Sequence, residues 1–301
     1  MSDLLTVTGL HVDYPGVRAV HDVSFTLRRG EILGLVGESG SGKSSVCAAL
    51  TRVLPAGARM AARAVRLGDQ ELTGLTDQEM RRLRATRIGV IPQRPMTSLS
   101  PVTPVLRQLR WHASDADLPD LLARTGLRAV LDRPRDYPHR FSGGQLQRLL
   151  ILIAALARQP DLLIADEPTT TLDPTVQAQV LRLILDLRDR LGLGILYVTH
   201  DLAVVAQVCD RVGVMYGGRL VETGSVEQIF ASPRHPYTQA LLSALPGRAP
   251  TGSRLGRLTP GPVARQGCPF APRCPVAMDV CAEQDPQPVL DVRCHHTEDS
   301  P

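Results

Sequence analysis

Residues 37–44 read Gly-Glu-Ser-Gly-Ser-Gly-Lys-Ser, which fits the pattern G-x-x-x-x-G-K-S/T at every fixed position. Gly37, Gly40 and Gly42 allow the backbone to wrap an anion so that successive N–H groups point at phosphate oxygens. The helix expected to follow adds the positive end of its dipole. Lys43 is placed to reach the β- and γ-phosphates of a nucleoside triphosphate, and Ser44 to hold Mg2+. Ser39 and Ser45 complete the candidate nucleotide-binding stretch. Lys43 is also the sole lysine of the chain; every other basic residue is arginine. A compact ammonium suits a loop closed tightly over phosphate, where a wide planar guanidinium fits badly. The arginine bias elsewhere reads as compositional.

A phosphate loop alone indicates only an NTPase. Its partner is Leu162-Leu163-Ile164-Ala165-Asp166-Glu167, an apolar run ending in two carboxylates. Asp166 would meet Mg2+. Glu167, beside the γ-phosphate, could orient and deprotonate the attacking water. An acidic pair that merely caps a surface strand is the alternative. Near the end of the chain, Cys268, Cys274, Cys281 and Cys294 form a third cluster. It contains no C-x-x-C, which argues against structural zinc. Cys268 and Cys274 each precede proline, as one ferredoxin ligand does. Four thiolates could hold a 4Fe–4S cluster; Zn2+, with His295 and His296 as spare ligands, and no metal are the alternatives. Cys47 and Cys209 fall on predicted helices and read as small core residues.

The elements that must position these groups follow from periodicity. Residues 4–27 alternate apolar and polar and predict antiparallel strands. Residues 31–37 predict a buried strand, 44–54 a helix, 76–86 an arginine-rich helix and 87–93 another strand. From Pro95 to Pro138 the chain reads as helical, polar and interrupted by prolines, and 142–158 as a helix with an apolar face. After the carboxylate strand come a helix over 174–191, a strand over 194–200, a helix over 202–208, and two strands around Gly217-Gly218. Strands alternating with helices imply a parallel sheet. Residues 247–266 read as a linker.

The chain has 301 residues, 43% apolar and 21% charged, which is a globular profile. The net charge of +4 is spread without a basic tract, so nothing points to nucleic acid. The first residues lack the pattern of a signal peptide. The longest apolar run, 149–157, is far short of the ~20 residues that span a bilayer. A cytosolic or peripheral protein is expected, with cysteines free or metal-bound.

Ser142-Gly143-Gly144-Gln145 resembles the signature motif of ABC ATPases. Phosphate loop, Gln93, signature, Asp166-Glu167, Thr171-Leu172-Asp173 and Val198-Thr199-His200-Asp201 stand in that family's order. The resemblance implies an α/β fold: a P-loop NTPase core with a mixed sheet, an antiparallel β subdomain, an α-helical signature subdomain over about 95–158, and a small Cys-rich extension. The nucleotide-binding domain would span 1–246 and the extension 247–301. It implies an ATP hydrolase using ATP and Mg2+, in which two such domains face head to tail and each signature closes on the other's ATP. Tyr14 resembles the aromatic that stacks on adenine. Gln93 resembles the glutamine that touches Mg2+ and reports to the membrane partner. Asp173 resembles the aspartate that crosses the dimer interface, and His200 the switch histidine on the γ-phosphate.

Residues 92–101, 137–144, 231–246 and 267–295 resemble the ATPase subunits of dipeptide, oligopeptide and nickel importers. That branch implies two transmembrane permease subunits, a second ABC ATPase subunit in a heterodimer, an extracytoplasmic solute-binding protein acting indirectly, and a peripheral place on the cytoplasmic face of the membrane. It points the same way for iron–sulfur. Alternatives are a nickel or other small-solute importer and a soluble, non-transport ABC ATPase. Pro92, Arg94 and Phe141 depart from the family's usual residues, and Arg94 reverses a charge near the loop that meets the permease.

Overall fold

The computed structural model describes residues 3–93, 98–156, 160–170, 172–245 and 261–296. Arg94, Thr171 and most of the expected linker lie outside these residues. The chain divides into two compact units, one built from residues 1–5, 27–31 and 74–197, the other from 6–26, 32–73 and 198–301.

The second unit opens with β1 (Asp3–Tyr14) and β2 (Val17–Arg28), of which residues 3–5 and 27–28 are assigned to the other unit. They are followed by β3 (Ile32–Val36), buried throughout, and α1 (Lys43–Thr51). Three short strands, β4 (Arg59–Ala61), β5 (Ala64–Leu67) and β6 (Gln70–Glu71), were not expected from the sequence; they are too short and too rich in arginine to show a period. They complete an antiparallel sheet in the order β2-β1-β5-β6, with β4 also on β1.

The first unit contains α2 (Asp77–Thr86), β7 (Ile88–Ile91), α3 (Val105–Leu109), α4 (Leu118–Arg124), α5 (Ala129–Asp132), α6 (Gly143–Leu156), β8 (Leu162–Asp166), α7 (Pro174–Leu191) and β9 (Gly194–Thr199). Helix α2 starts where Thr76 and Glu79 cap each other reciprocally. Helices α3 to α6 share an apolar core of Leu106, Leu109, Leu122, Leu146 and Leu149 among others. Strands β7 and β8 run parallel, with β9 next in order. Helix α7 has an N-cap at Asp173, Pro174 in its first turn and Gly192 in the left-handed conformation at its end.

The second unit resumes with α8 (Leu202–Val208), β10 (Arg211–Tyr216), β11 (Arg219–Ser225), α9 (Val226–Ala231), α10 (Pro236–Ser243) and α11 (Asp279–Glu283). Strand β10 is parallel to β3 and antiparallel to β11, so the sheet is mixed as expected. The Cys-rich segment is not a bare extension. Cys268, Phe270 and Cys281 are buried in one core with Val212, Val214, Tyr216, Val221 and Tyr237. No helix among the described residues is long and apolar enough to cross a membrane.

Candidate nucleotide site

Strand β3 delivers the chain to Gly37, and α1 begins at Lys43. Between them the loop turns on Gly42, whose φ of 101° is left-handed and whose added Cβ would lie 2.5 Å from the Ala19 carbonyl. Only glycine fits both demands. Lys43 is buried, and its ammonium donates to the Gly37 carbonyl at 2.8 Å, the Glu38 carbonyl at 2.9 Å and Ser41 Oγ at 3.4 Å. The single lysine therefore sits inside the loop it closes. The Gly217-Gly218 turn supports the loop from outside, with the Gly218 N–H donating to the Ser41 carbonyl at 3.1 Å. Tyr14 donates its hydroxyl to Ser45 Oγ at 3.1 Å, which fixes the ring beside the first turn of α1. Ser44 is exposed on the same turn. In this unit also, His200 follows β9 on the surface, and Asp201 caps α8 through Oδ1.

In the first unit, buried β8 carries Asp166 and Glu167 out of the core to half-buried positions. Glu167 has a φ of 47°, the left-handed region that non-glycine residues seldom occupy. Its carboxylate accepts from Gln93 Nε2 at 3.0 Å and from Thr170 Oγ1 at 3.0 Å. Strain of this kind is held by its surroundings and gathers at functional sites. Thr170 escaped the sequence reading, because a lone threonine after a carboxylate pair carries no signal of its own.

The signature helix begins on a reciprocal cap: the Ser142 N–H donates to Gln145 Oε1 at 2.9 Å, and the Gln145 N–H to Ser142 Oγ at 3.3 Å. Gly143 faces open space, while a Cβ on Gly144 would run into Val176 of α7. Asp173 spends its side chain on the α7 cap, accepting from the Thr175 and Val176 N–H groups at 3.0 Å each.

The four C-terminal cysteines are free thiols. Burial pushes the Cys268 thiol up to about 11, with Cys281 and Cys294 adding to the rise. Burial also raises Cys274 and Cys294, each feeling Cys281 as well. The four thus lie within one another's fields. Even so, no group of three or more histidines, cysteines or carboxylates among the described residues is placed to hold a metal ion. The expected iron–sulfur or zinc ligand set is not supported by this geometry. Cys268 and Cys281 instead serve as small apolar core residues. The Nε2 of His295 bonds the Gln284 carbonyl at 2.9 Å.

A family profile described as ABC transporter matches residues 20–170, and one described as oligopeptide/dipeptide transporter, C-terminal region, matches 221–281. The chain is 46% identical to a probable peptide ABC transporter ATP-binding protein of Sinorhizobium fredii, over 94% of this chain and 90% of that protein. It is 42% identical to the oligopeptide transport ATP-binding protein OppD of Escherichia coli, over 94% and 89%. It is 41% identical to the dipeptide transport ATP-binding protein DppD of the same organism, over 89% and 86%. A solved ATP-binding subunit of an ABC transporter superposes with a TM-score of 0.62 at 30% identity, covering 75% of this chain and 91% of that one. The ATP-binding cassette MJ0796, solved as a dimer with ADP and Pi, shares the fold, with a TM-score of 0.64 at 23% identity over 74% and 98%. The chain belongs to the ABC transporter family, as an ATP-binding and ATP-hydrolysing subunit of the P-loop NTPase fold.

Proposed function

We propose that the chain powers import of dipeptides or oligopeptides from the cytoplasmic face of a membrane. It would do so in a heterodimer with a second ABC ATPase subunit, docked on two permease subunits that receive cargo from an extracytoplasmic binding protein. The names of its relatives and the match of residues 221–281 to the oligopeptide/dipeptide C-terminal region support this reading. Residues 1–246 act as the nucleotide-binding domain and 247–301 as its extension.

The observation that carries the chemistry is Glu167, strained and held by two donors at the end of β8. Glu167 takes a proton from water as the water oxygen bonds the γ-phosphorus. The bond to the β–γ bridging oxygen then breaks, leaving ADP and phosphate. Lys43 and the N–H groups of residues 37–45 hold the phosphates, Tyr14 receives the adenine, and His200 contacts the γ-phosphate. By the family resemblance Ser44, Gln93 and Asp166 would hold Mg2+, which would offset charge on the phosphates. Ser142 to Gln145 and Asp173 act across the dimer. For an iron–sulfur cluster at Cys268, Cys274, Cys281 and Cys294 the spacing in the sequence is the one argument, since among the described residues no three metal-capable side chains are placed to hold an ion. Iron and acid-labile sulfide in anaerobically purified protein would establish it; zinc or no metal would replace it.

The test is a pull-down of Glu167→Gln, trapped with Mg-ATP and extracted with its membrane in detergent. Two multi-span permeases and a second ABC subunit are expected. Ribosomal proteins, or no membrane partner, would overturn the importer.

A further inference from the structure

Glu38 is one of the variable positions of the phosphate loop, yet it is the most tightly tethered of them. Its carboxylate takes a two-pronged bond from Arg273, Nη1 to Oε2 at 2.8 Å and Nη2 to Oε1 at 2.9 Å. Its N–H donates to Tyr237 Oη at 3.0 Å. Its carbonyl receives Lys43 Nζ at 2.9 Å and the Ser41 N–H at 3.1 Å. One residue thus joins the lysine of the loop to an arginine of the Cys-rich segment.

Arg273 is built for that contact. Its side chain is 9% exposed, its Nη1 also donates to Tyr216 Oη at 3.1 Å, and its guanidinium lies 5.5 Å from the Tyr216 ring centre and 5.7 Å from that of Phe270. Tyr216, Tyr237 and Phe270 pack on one another with centroids 4.5–5.4 Å apart. A planar fork packed against two rings can aim at a carboxylate with little loss of freedom. Arg273 belongs to the single turn Ala271–Arg273, set between Cys268 and Cys274. The Ala271 N–H donates to the Cys268 carbonyl, and the Cys274 N–H to the Ala271 carbonyl.

We propose that Arg273 is a positioning residue of the phosphate loop, and that through its bond to Glu38 the Cys-bounded turn sets the affinity for ATP. This rests on the reading of residues 37–45 as the ATP loop. Without Arg273 the Glu38 side chain is released, and its carbonyl, still bonded to the Ser41 N–H, is held less firmly in line for Lys43. The N–H groups that cradle phosphate then have to be ordered by the nucleotide itself, which weakens binding. The reaction step, which depends on Glu167, is left alone.

The experiment measures affinity for a fluorescent ATP analogue, together with steady-state KM and kcat, in the full-length chain. The variants are Arg273→Ala, Arg273→Lys, Glu38→Ala, the Arg273→Ala/Glu38→Ala pair, and Lys43→Ala as the control. Arg273→Ala and Glu38→Ala are each expected to weaken binding about tenfold, or about 1.4 kcal/mol, and Arg273→Ala to hold kcat within about twofold. The double variant should bind no worse than either single one, because one interaction is lost in all three. Arg273→Lys keeps the charge and the apolar stem but not the fork, so it folds and decides the matter should the alanine variant not. Wild-type affinity in folded Arg273 variants, or losses that multiply in the double variant, would overturn the proposal. Lys43→Ala separates the two ideas. If it loses affinity and the Arg273 variants do not, only the clamp fails; if it binds normally, the loop reading itself fails.

Discussion

Replacing Glu167 by glycine should stabilise the chain relative to alanine at the same position, while both variants lose turnover. Glu167 sits at a φ of 47°. For a residue with a Cβ, that conformation costs about 1–2 kcal/mol. Glycine removes the cost but has a looser unfolded chain, which takes back about 0.4–1 kcal/mol. Both variants lack the carboxylate and so lose the bonds from Gln93 and Thr170 equally. Those losses cancel in the comparison, leaving glycine ahead by about 0.5–1 kcal/mol. Urea titrations of Glu167→Gly and Glu167→Ala would read this as a higher midpoint for glycine. Hydrolysis should fall in both by about 10²–10⁴, the usual worth of a general base. An alanine variant at least as stable as the glycine one would show that no strain is stored there. Full turnover in either variant would remove Glu167 from the chemistry.

Gly144→Ala should cost about 1–2 kcal/mol, because the new methyl meets Val176 Cγ1 and a helical valine has one comfortable rotamer; adding Val176→Ala should restore the urea midpoint. Phe270→Ala should cost about 3–5 kcal/mol, since the ring is buried against Tyr216 and Tyr237; a loss under about 1 kcal/mol in chemical denaturation would mean that the Cys-rich segment is not part of that core. For Asp161, burial alone would raise the carboxyl, but bonds from Arg87 at 2.6 Å and Arg29 at 2.8 Å outweigh it and hold the pKa below the usual range. A folded pKa below the unfolded one gives stability that is complete above about pH 4 and lost as pH falls through the folded value. Asp161→Asn should therefore be less stable than wild type at neutral pH, with the gap closing in acid; a gap that does not change with pH would contradict the ion pairs.

What could be read from the sequence was whatever is local. The loop from Gly37 to Ser45 holds its chemistry within nine consecutive positions, and its order before Gln93, Ser142 and Asp166 repeats a family pattern. Helix α7 is legible because cap, period and stop signal all lie along the same stretch. Strands β4 to β6 offer only two to four residues apiece and are fixed by partners elsewhere in the chain. The cysteines show a different limit. Their spacing suggests ligands, but a thiol is also a small apolar group, and the sequence cannot say whether four of them converge on an ion or on a core.

The partnership of Glu38 and Arg273 lies at the far end of that scale, the two residues standing 235 positions apart. Neither position looks functional alone: Glu38 fills a variable slot, and Arg273 is one of many arginines in a chain that favours them. Their meaning depends on burial. An exposed pair is worth little, whereas a fork packed against Tyr216 and Phe270 holds its carboxylate in one place. The same packing that places Cys268 and Cys281 in the core places Arg273 against the loop. A perturbation of that core therefore has a route to the phosphates, and Phe270→Ala should weaken ATP binding as well as the fold.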